Sequence, residues 1–407
     1  MKKILACLLA LPLTLAACGA QTADTGSTPP TEPTQTTETA PEATTPAAAT
    51  AGRLRDTAMM MAVGNGVYTV NEKWNDENDV DTIYLVRTDC DTNTQQKVAE
   101  IELPGGAYYG MAAWDDTVKL YLFETPETGE PIEWCYTIDT ATGSMERQTV
   151  DNNFWPAWCD DAAMYEMNYD SNPHITRIDR STGETSRIEL PQQTENLYAV
   201  GDKWLINRVV SPSPLPSGDD GDMYDAVLQN SEYEYDLVDA ATGETQKLYS
   251  YPAIGDAYYY CGQREGTLYF YHYTRESDDN IYPSSVARLE NGEMVQVTAL
   301  ENDHMGLHAM EDEQGELQWI ARDSGKTIEV YDLNDGQTYH PAFKVDSSTY
   351  STTGYPQMLL PGGRVLVLYG NIDAPGFADD GAYATIDRAA YLAGSTDYTP
   401  VTMYTGE

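Results

Sequence analysis

The pattern Asp-x-x-Thr-Gly recurs three times along the chain, each time between two short alternating segments. It stands at Asp139–Gly143, Asp179–Gly183 and Asp239–Gly243. Looser copies follow at Leu289-Glu-Asn-Gly292-Glu293 and Tyr331-Asp-Leu333-Asn-Asp335-Gly336. The residues explain the turn. An Asp side chain accepts hydrogen bonds from the amides just ahead of it, and Gly adopts the left-handed conformation that returns the chain. Flanking strand residues make each copy a β-hairpin. A lone hairpin is marginal in water, so a repeated hairpin implies a repeated packing unit.

From Arg53 to Glu407 the sequence divides into seven such units, each an inner strand pair followed by an outer hairpin. The inner pairs begin near residues 58, 110, 157, 197, 257, 306 and 354. Their tight turns are expected at Gly64-Asn65-Gly66, Asp115-Asp116, Asp160-Asp161, Gly201-Asp202, Glu265-Gly266, Gln314-Gly315 and Gly362-Gly363. The outer hairpins turn near Asn93, Gly143, Gly183, Gly243, Gly292, Gly336 and the stretch 388–397. Four strands per unit at this period predict an all-β fold, a seven-bladed β-propeller of four-stranded antiparallel blades. No segment carries a long helical period. Apolar runs such as Arg364-Val-Leu-Val-Leu-Tyr369 suit central strands covered on both faces by neighbouring blades. A stacked repeat can exceed the size of an ordinary single core, so 53–407 is read as one domain. Two closures of the ring are open: the C-terminal strand Thr399–Tyr404 completes the seventh blade itself, or the stretch Arg53–Thr57 contributes.

Residues 1–17 have the form of a secretory leader, with Lys2 and Lys3 ahead of a short apolar run that is too short to span a bilayer. The leader ends in Leu15-Ala16-Ala17-Cys18, which resembles the lipobox of bacterial lipoproteins. The resemblance implies cleavage before Cys18, a lipid on Cys18, and a cell-membrane location on the extracytoplasmic face. The segment 18–52 is almost wholly Thr, Pro, Ala, Glu, Gly, Ser and Gln, which cannot bury enough apolar surface to order itself. It reads as a disordered tether, able to stretch toward ~100 Å at roughly 3 Å per residue.

The Asp-x-x-Thr-Gly hairpins also resemble those of quinoprotein-type bacterial propellers. The chain departs from that family in lacking a regularly placed tryptophan after each hairpin. The resemblance therefore implies the fold, and it implies neither a quinone cofactor nor dehydrogenase activity.

The formal charge is −42, and loss of Lys2 and Lys3 with the leader makes the mature chain more negative still. Such a charge repels nucleic acid and anionic lipid, so contact with the membrane is expected through the N-terminal lipid alone. A monomer is expected. Cys90, Cys135, Cys159 and Cys261 fall in different units and lack C-x-x-C spacing, so they read as buried, unpaired thiols.

In a propeller, the loops leaving the inner pair and the loops joining blades share one face. Here the first set is acidic: 75–81, Asp219-Asp220-Gly221-Asp222 with Asp225, Glu276–Asp279, and Asp379-Asp380. The second set adds rings: Tyr108, Tyr109, Phe154, Trp155, Tyr251 and Tyr350. Rings beside carboxylates suit sugars or cationic groups. The candidate ligand-binding residues are Tyr108, Tyr109, Trp155, His304 and Tyr350. Asp219, Asp220, Asp222 and Asp225 are candidate calcium ligands without EF-hand spacing. His304 and His308 are the one clustered histidine pair, and the H-E-x-x-H zinc pattern is absent. No G-x-S-x-G, P-loop or dinucleotide fingerprint occurs. The sequence therefore favours a non-catalytic binding or scaffolding module for an envelope glycan, cationic peptide or protein. The alternatives are a glycan-cleaving propeller with paired carboxylates and an envelope-assembly factor.

Overall fold

The computed structural model describes residues 53–73, 80–104, 107–126, 130–150, 156–168, 172–215, 226–239, 243–277, 280–300, 306–346, 351–371 and 381–406. Seven antiparallel sheets follow one another along the chain, each built on four consecutive strands. Blade one comprises Met61–Val63, Gly66–Lys73, Val80–Asp89 and Thr94–Pro104. Blade two comprises Ala107–Ala113, Thr117–Glu124, Ile132–Asp139 and Met145–Thr149. Blade three comprises Trp158–Cys159, Ala163–Asn168, His174–Asp179 and Thr185–Glu189. Blade four comprises Thr194–Val200, Lys203–Val210, Glu232–Asp239 and Thr245–Pro252. Blade five comprises Ala257–Arg264, Thr267–Ser277, Asn280–Glu290 and Glu293–Ala299. Blade six comprises Gly306–Glu311, Leu317–Asp323, Ile328–Asp332 and Gln337–Tyr339. Blade seven comprises Ser351–Leu360, Arg364–Asn371, Gly381–Asp387 and Thr399–Pro400, with Lys344–Asp346 added to its inner edge. All seven predicted inner turns fall between the first and second strands of a blade.

The core lies between blades. In blade four, Trp204, Leu205 and Ile206 are consecutive and fully buried, since both faces of the strand meet a neighbouring sheet. Trp204 and Ile206 pack toward Ile175 of blade three, while Leu205 packs toward Phe270 of blade five. Ile83 and Leu85 pack on Met111 and Leu120 in the same way.

The outer hairpins obey the predicted chemistry. Asp139 Oδ1 accepts from the Ala141 and Thr142 amides and from Thr142 Oγ1, and Asp179 Oδ1 accepts from Ser181 and Thr182 alike. These bonds hold both carboxyls below the usual range. A further copy was hidden in the sequence. Asp89 Oδ1 accepts from the Asp91 and Thr92 amides, and Asn93 takes the glycine position at φ 52°. Gly143 and Gly183 both have positive φ, but a Cβ on Gly143 would lie 2.5 Å from the Val98 carbonyl oxygen, whereas one on Gly183 would meet nothing within 4 Å. We therefore expect Gly183→Ala to cost about 1–2 kcal/mol from backbone conformation alone. Gly143→Ala is expected to cost clearly more, with both variants measured by urea titration. Equal costs would mean that the blade-one contact yields freely.

The seventh outer connection contains a short helix, Arg388–Leu392, where no helix was expected. Asp387 caps it, accepting from the Ala390 amide, and Tyr391 turns inward to stack on Trp319 at 5.9 Å. Cys90, Cys135, Cys159 and Cys261 are free thiols. Burial pushes the Cys159 thiol up to about 11.

Thr399–Pro400 completes blade seven, so no strand is exchanged between the chain ends. Closure falls to the tail beyond it. Thr402 bridges to Thr94 in parallel, donating to the Asn93 carbonyl at 2.8 Å and accepting from the Gln95 amide at 2.9 Å. Tyr404 donates its amide to Gln95 Oε1, and its carbonyl accepts from Asn71 Nδ2. The stretch Arg53–Thr57 goes elsewhere. Arg55–Asp56 adds antiparallel to Trp158–Cys159, the innermost strand of blade three, and so lies along the axis of the ring.

Candidate binding face

Strand direction fixes two unlike faces. Within each blade the first-to-second and third-to-fourth connections share one face, here called the turn face. The second-to-third connections and the links between blades share the other, the loop face. The turn face is dominated by carboxylates engaged in their own turns, including Asp89, Asp139, Asp179 and Asp335. Two of the hollows that open there are lined by charged side chains. The larger, about 420 Å³, is lined by Asp116, Asp161, Asp179 and Arg180, and Arg180 both pairs with Asp116 and lies 4.6 Å from the Trp114 ring centre. The smaller, about 300 Å³, lies among Arg264, Glu265, Arg288 and Glu290.

Apolar exposure is distributed differently. Nine large apolar side chains are exposed among the described residues. Six of them, Val210, Ile254, Tyr259, Ile281, Val345 and Tyr369, occupy loop-face strand ends or connections. They belong to blades four, five and seven and to the link between four and five. Met145 and Val295 lie toward the turn face, and Met59 lies in the axial reversal before Met61.

Blade five supplies the best-ordered part of this face. Tyr258 and His272 are cross-strand partners, and their rings stack 4.7 Å apart at 12°. His272 Nε2 meets Asp256 Oδ2 at 3.0 Å, and Nδ1 meets Ser285 Oγ at 3.2 Å. Ser, His and Asp in one chain of contacts invite comparison with a hydrolase triad. Yet Ser285 is only 3% exposed, and Ser284 Oγ, 3.3 Å from the same nitrogen, donates to the His272 carbonyl at 3.2 Å. The trio instead fixes the imidazole and, through it, Tyr258. Tyr258 anchors a tyrosine ladder through its carbonyl, which accepts from Tyr235 Oη at 2.6 Å, and its ring meets those of Tyr249 and Tyr251. Burial raises the Tyr258 phenol to about 12, so it stays neutral at physiological pH. The exposed Tyr259 ring is held edge-on by Tyr273 at 5.1 Å.

Blades six and seven continue the face. His308 hydrogen-bonds Tyr355 Oη, with the two rings perpendicular at 5.2 Å. Burial lowers the His308 pKa, partly countered by Asp323, which favours the neutral ring. Gly306 leaves room beside this pair, since a Cβ there would lie 3.6 Å from both Asp323 Oδ2 and His308 Nε2.

Of the residues singled out in the sequence, Tyr108 and Tyr109 belong to the inner strand of blade two near the loop face, with side chains outside the described residues. Trp155, His304 and Tyr350 lie outside the described residues, as do Asp219, Asp220, Asp222, Asp225 and Cys18. Among the described residues no group of three or more His, Cys, Asp or Glu side chains could hold a metal ion. The residues that sequence reasoning missed are Asp256, Tyr258, Tyr259, His272 and Tyr355. Their signal was present as the dense tyrosine runs at 257–260 and 269–273, which read as strand core.

No protein-family model matches the chain, and no curated protein does. Several solved structures are similar in shape. The β-propeller domain of the Trilobed protease from Pyrococcus furiosus is 12% identical, with a TM-score of 0.49, over 88% of this chain and 99% of that one. TolB from Acinetobacter baumannii is 16% identical, with a TM-score of 0.37, over 84% and 81%. The Pyrococcus horikoshii acylaminoacyl peptidase is 10% identical, with a TM-score of 0.42, over 74% of this chain and 46% of that one.

Proposed function

We propose that this propeller is a non-catalytic binding module of the cell envelope, held at the extracytoplasmic face by a lipid on Cys18, and that its loop face takes a protein segment both apolar and basic. The observation that carries this reading is the gathering of six of nine exposed large apolar side chains on the loop face. Exposed apolar side chains gathered on one face mark association surfaces. Tyr259, held by Tyr273, is a rigid amphipathic anchor of the type that dominates protein contacts. Basic character in the partner follows from charge. The chain carries −42, and Glu232, Asp256 and Glu276 flank the apolar residues on this face. A glycan is the competing ligand, since exposed rings also stack on sugars.

The test is a binding screen with the mature chain against arrays of Lys/Leu/Trp-rich peptides and of envelope glycans. The double variant Tyr259→Ala/Ile281→Ala is expected to weaken the best peptide about tenfold or more, equivalent to about 1.4 kcal/mol. The turn-face pair Met145→Ala/Val295→Ala is expected to leave it unchanged. Equal losses in both pairs, or binding of glycans alone, would overturn the reading. The lipid is tested separately. Cys18→Ser is expected to abolish incorporation of labelled fatty acid and to release the protein from membranes, and a variant that stays labelled refutes the anchor.

A further inference from the structure

The segment Arg53–Ala58 is recognised by the ring much as an added peptide would be. Its backbone pairs with the axial edge of blade three, Arg55 opposite Cys159 and Asp56 opposite Trp158. The Thr57 amide donates to the Ala157 carbonyl at 2.9 Å, and Thr57 Oγ1 donates to the Pro156 carbonyl at 2.6 Å. The Leu54 amide donates to the Gly201 carbonyl of blade four at 2.9 Å. The Leu54 side chain, 2% exposed, joins the cluster of Trp158, Ala163 and Trp204. Arg53 reaches Glu311 on the inner strand of blade six, and Arg55 lies 3.8 Å from Asp161. Ala58 bridges to Met111 of blade two. In strand addition, main-chain pairing gives affinity and side-chain pockets give specificity, and both are present here.

We propose that the axial edge of blade three is a binding site for an extended peptide carrying a cation followed by an apolar residue, with Arg53–Ala58 as the chain's own exchangeable occupant. Exchange is feasible because the segment contributes no strand to the blade-to-blade stacks. Its release leaves every blade with its four strands. The preferred peptide is defined by the hole it fills. An Arg must meet Glu311, a Leu-sized side chain must enter the cluster of Trp158, Ala163 and Trp204, and a small or β-branched pair must pass Ala157 and Met111.

The site is charged as well as apolar. Burial raises Glu311 to about 7, against the opposing pull of Arg53, with Asp56, Asp312 and Glu316 raising it further.

The test uses the full mature chain and a fluorescent peptide of residues 50–60. Leu54→Asp in the chain is expected to vacate the site and raise affinity for the peptide at least tenfold over wild type. A peptide carrying Leu54→Asp is expected not to bind. Equal binding by wild type and variant, or none by a variant with native circular dichroism, overturns the proposal. Hydrogen exchange on the wild type decides independently of the variant's folding. The Leu54 and Thr57 amides should exchange at least tenfold faster than those of Ala163–Asn168. Equal protection would show a fixed structural strand and sink the exchangeable occupant.

Discussion

Trp204→Ala is expected to destabilise the propeller by about 3–5 kcal/mol, the range for truncating a large aromatic in a packed core. Trp204 is fully buried between blades three and four. Its ring meets Trp158 at 5.2 Å and Tyr165 at 5.3 Å, both edge-on, so its loss leaves two aromatic faces bare. Its indole nitrogen has no hydrogen-bond partner. Trp204→Phe therefore removes a costly unmatched donor while keeping much of the volume, and it should cost less than half as much. Urea unfolding followed by circular dichroism measures both. A Phe variant as damaged as the Ala variant would show that ring size, and not the unmatched donor, decides the site. Because Leu54 enters the same cluster, the Ala variant should also speed exchange of the Leu54 amide.

Ending the chain after Pro400 is expected to cost about 5 kcal/mol or more, a large share of the total stability of an ordinary domain. The deleted tail contributes five hydrogen bonds, four of them across the seam to blade one. Val401 donates to Tyr383, Thr402 exchanges two bonds with blade one, and Tyr404 engages Asn71 and Gln95. At about 1 kcal/mol each they account for most of the figure, and Val401, 5% exposed, adds its apolar burial. Asn71 and Gln95 are themselves buried and would keep only their mutual bond at 3.0 Å. The loss should be local in its first effect. Amides of Thr94–Pro104 should lose protection while those of blades three to five keep it. Uniform loss around the ring would mean that the tail stabilises the whole propeller and is no seam.

The blade pattern was legible because each hairpin is specified by residues within five positions of one another. Asp139, Thr142 and Gly143 need no distant partner to form their turn. Asp89-Cys-Asp-Thr92-Asn93 was overlooked as a copy only because asparagine stands where glycine was sought. The closure of the ring was not legible, since it rests on two-residue pairings such as Thr399–Pro400 that carry no period. Nor could alternation reveal the axial course of Arg55–Asp56, which pairs with residues about a hundred positions away. The binding face was half legible. Strand order told which loops share a side, but the rings chosen fall outside the described residues or in the inner strand of blade two, and the rings found on this face lie near strand ends of blades five and seven. Phe270 and Tyr259 come from the same tyrosine-rich blade, yet one is fully buried and the other 45% exposed. Only the packing of the adjacent blade separates them.

The seam also sets an order of events for a chain made from one end. Gln95 and Tyr404 are 309 residues apart, and Arg53 waits 258 residues for Glu311. At roughly 5–20 residues per second, the first blade stands about 15–60 s with its partner edge bare before the last residues arrive. A chain folding during synthesis would carry that early edge unpaired, and folding delayed until the tail is present would keep it from adding to the wrong neighbour.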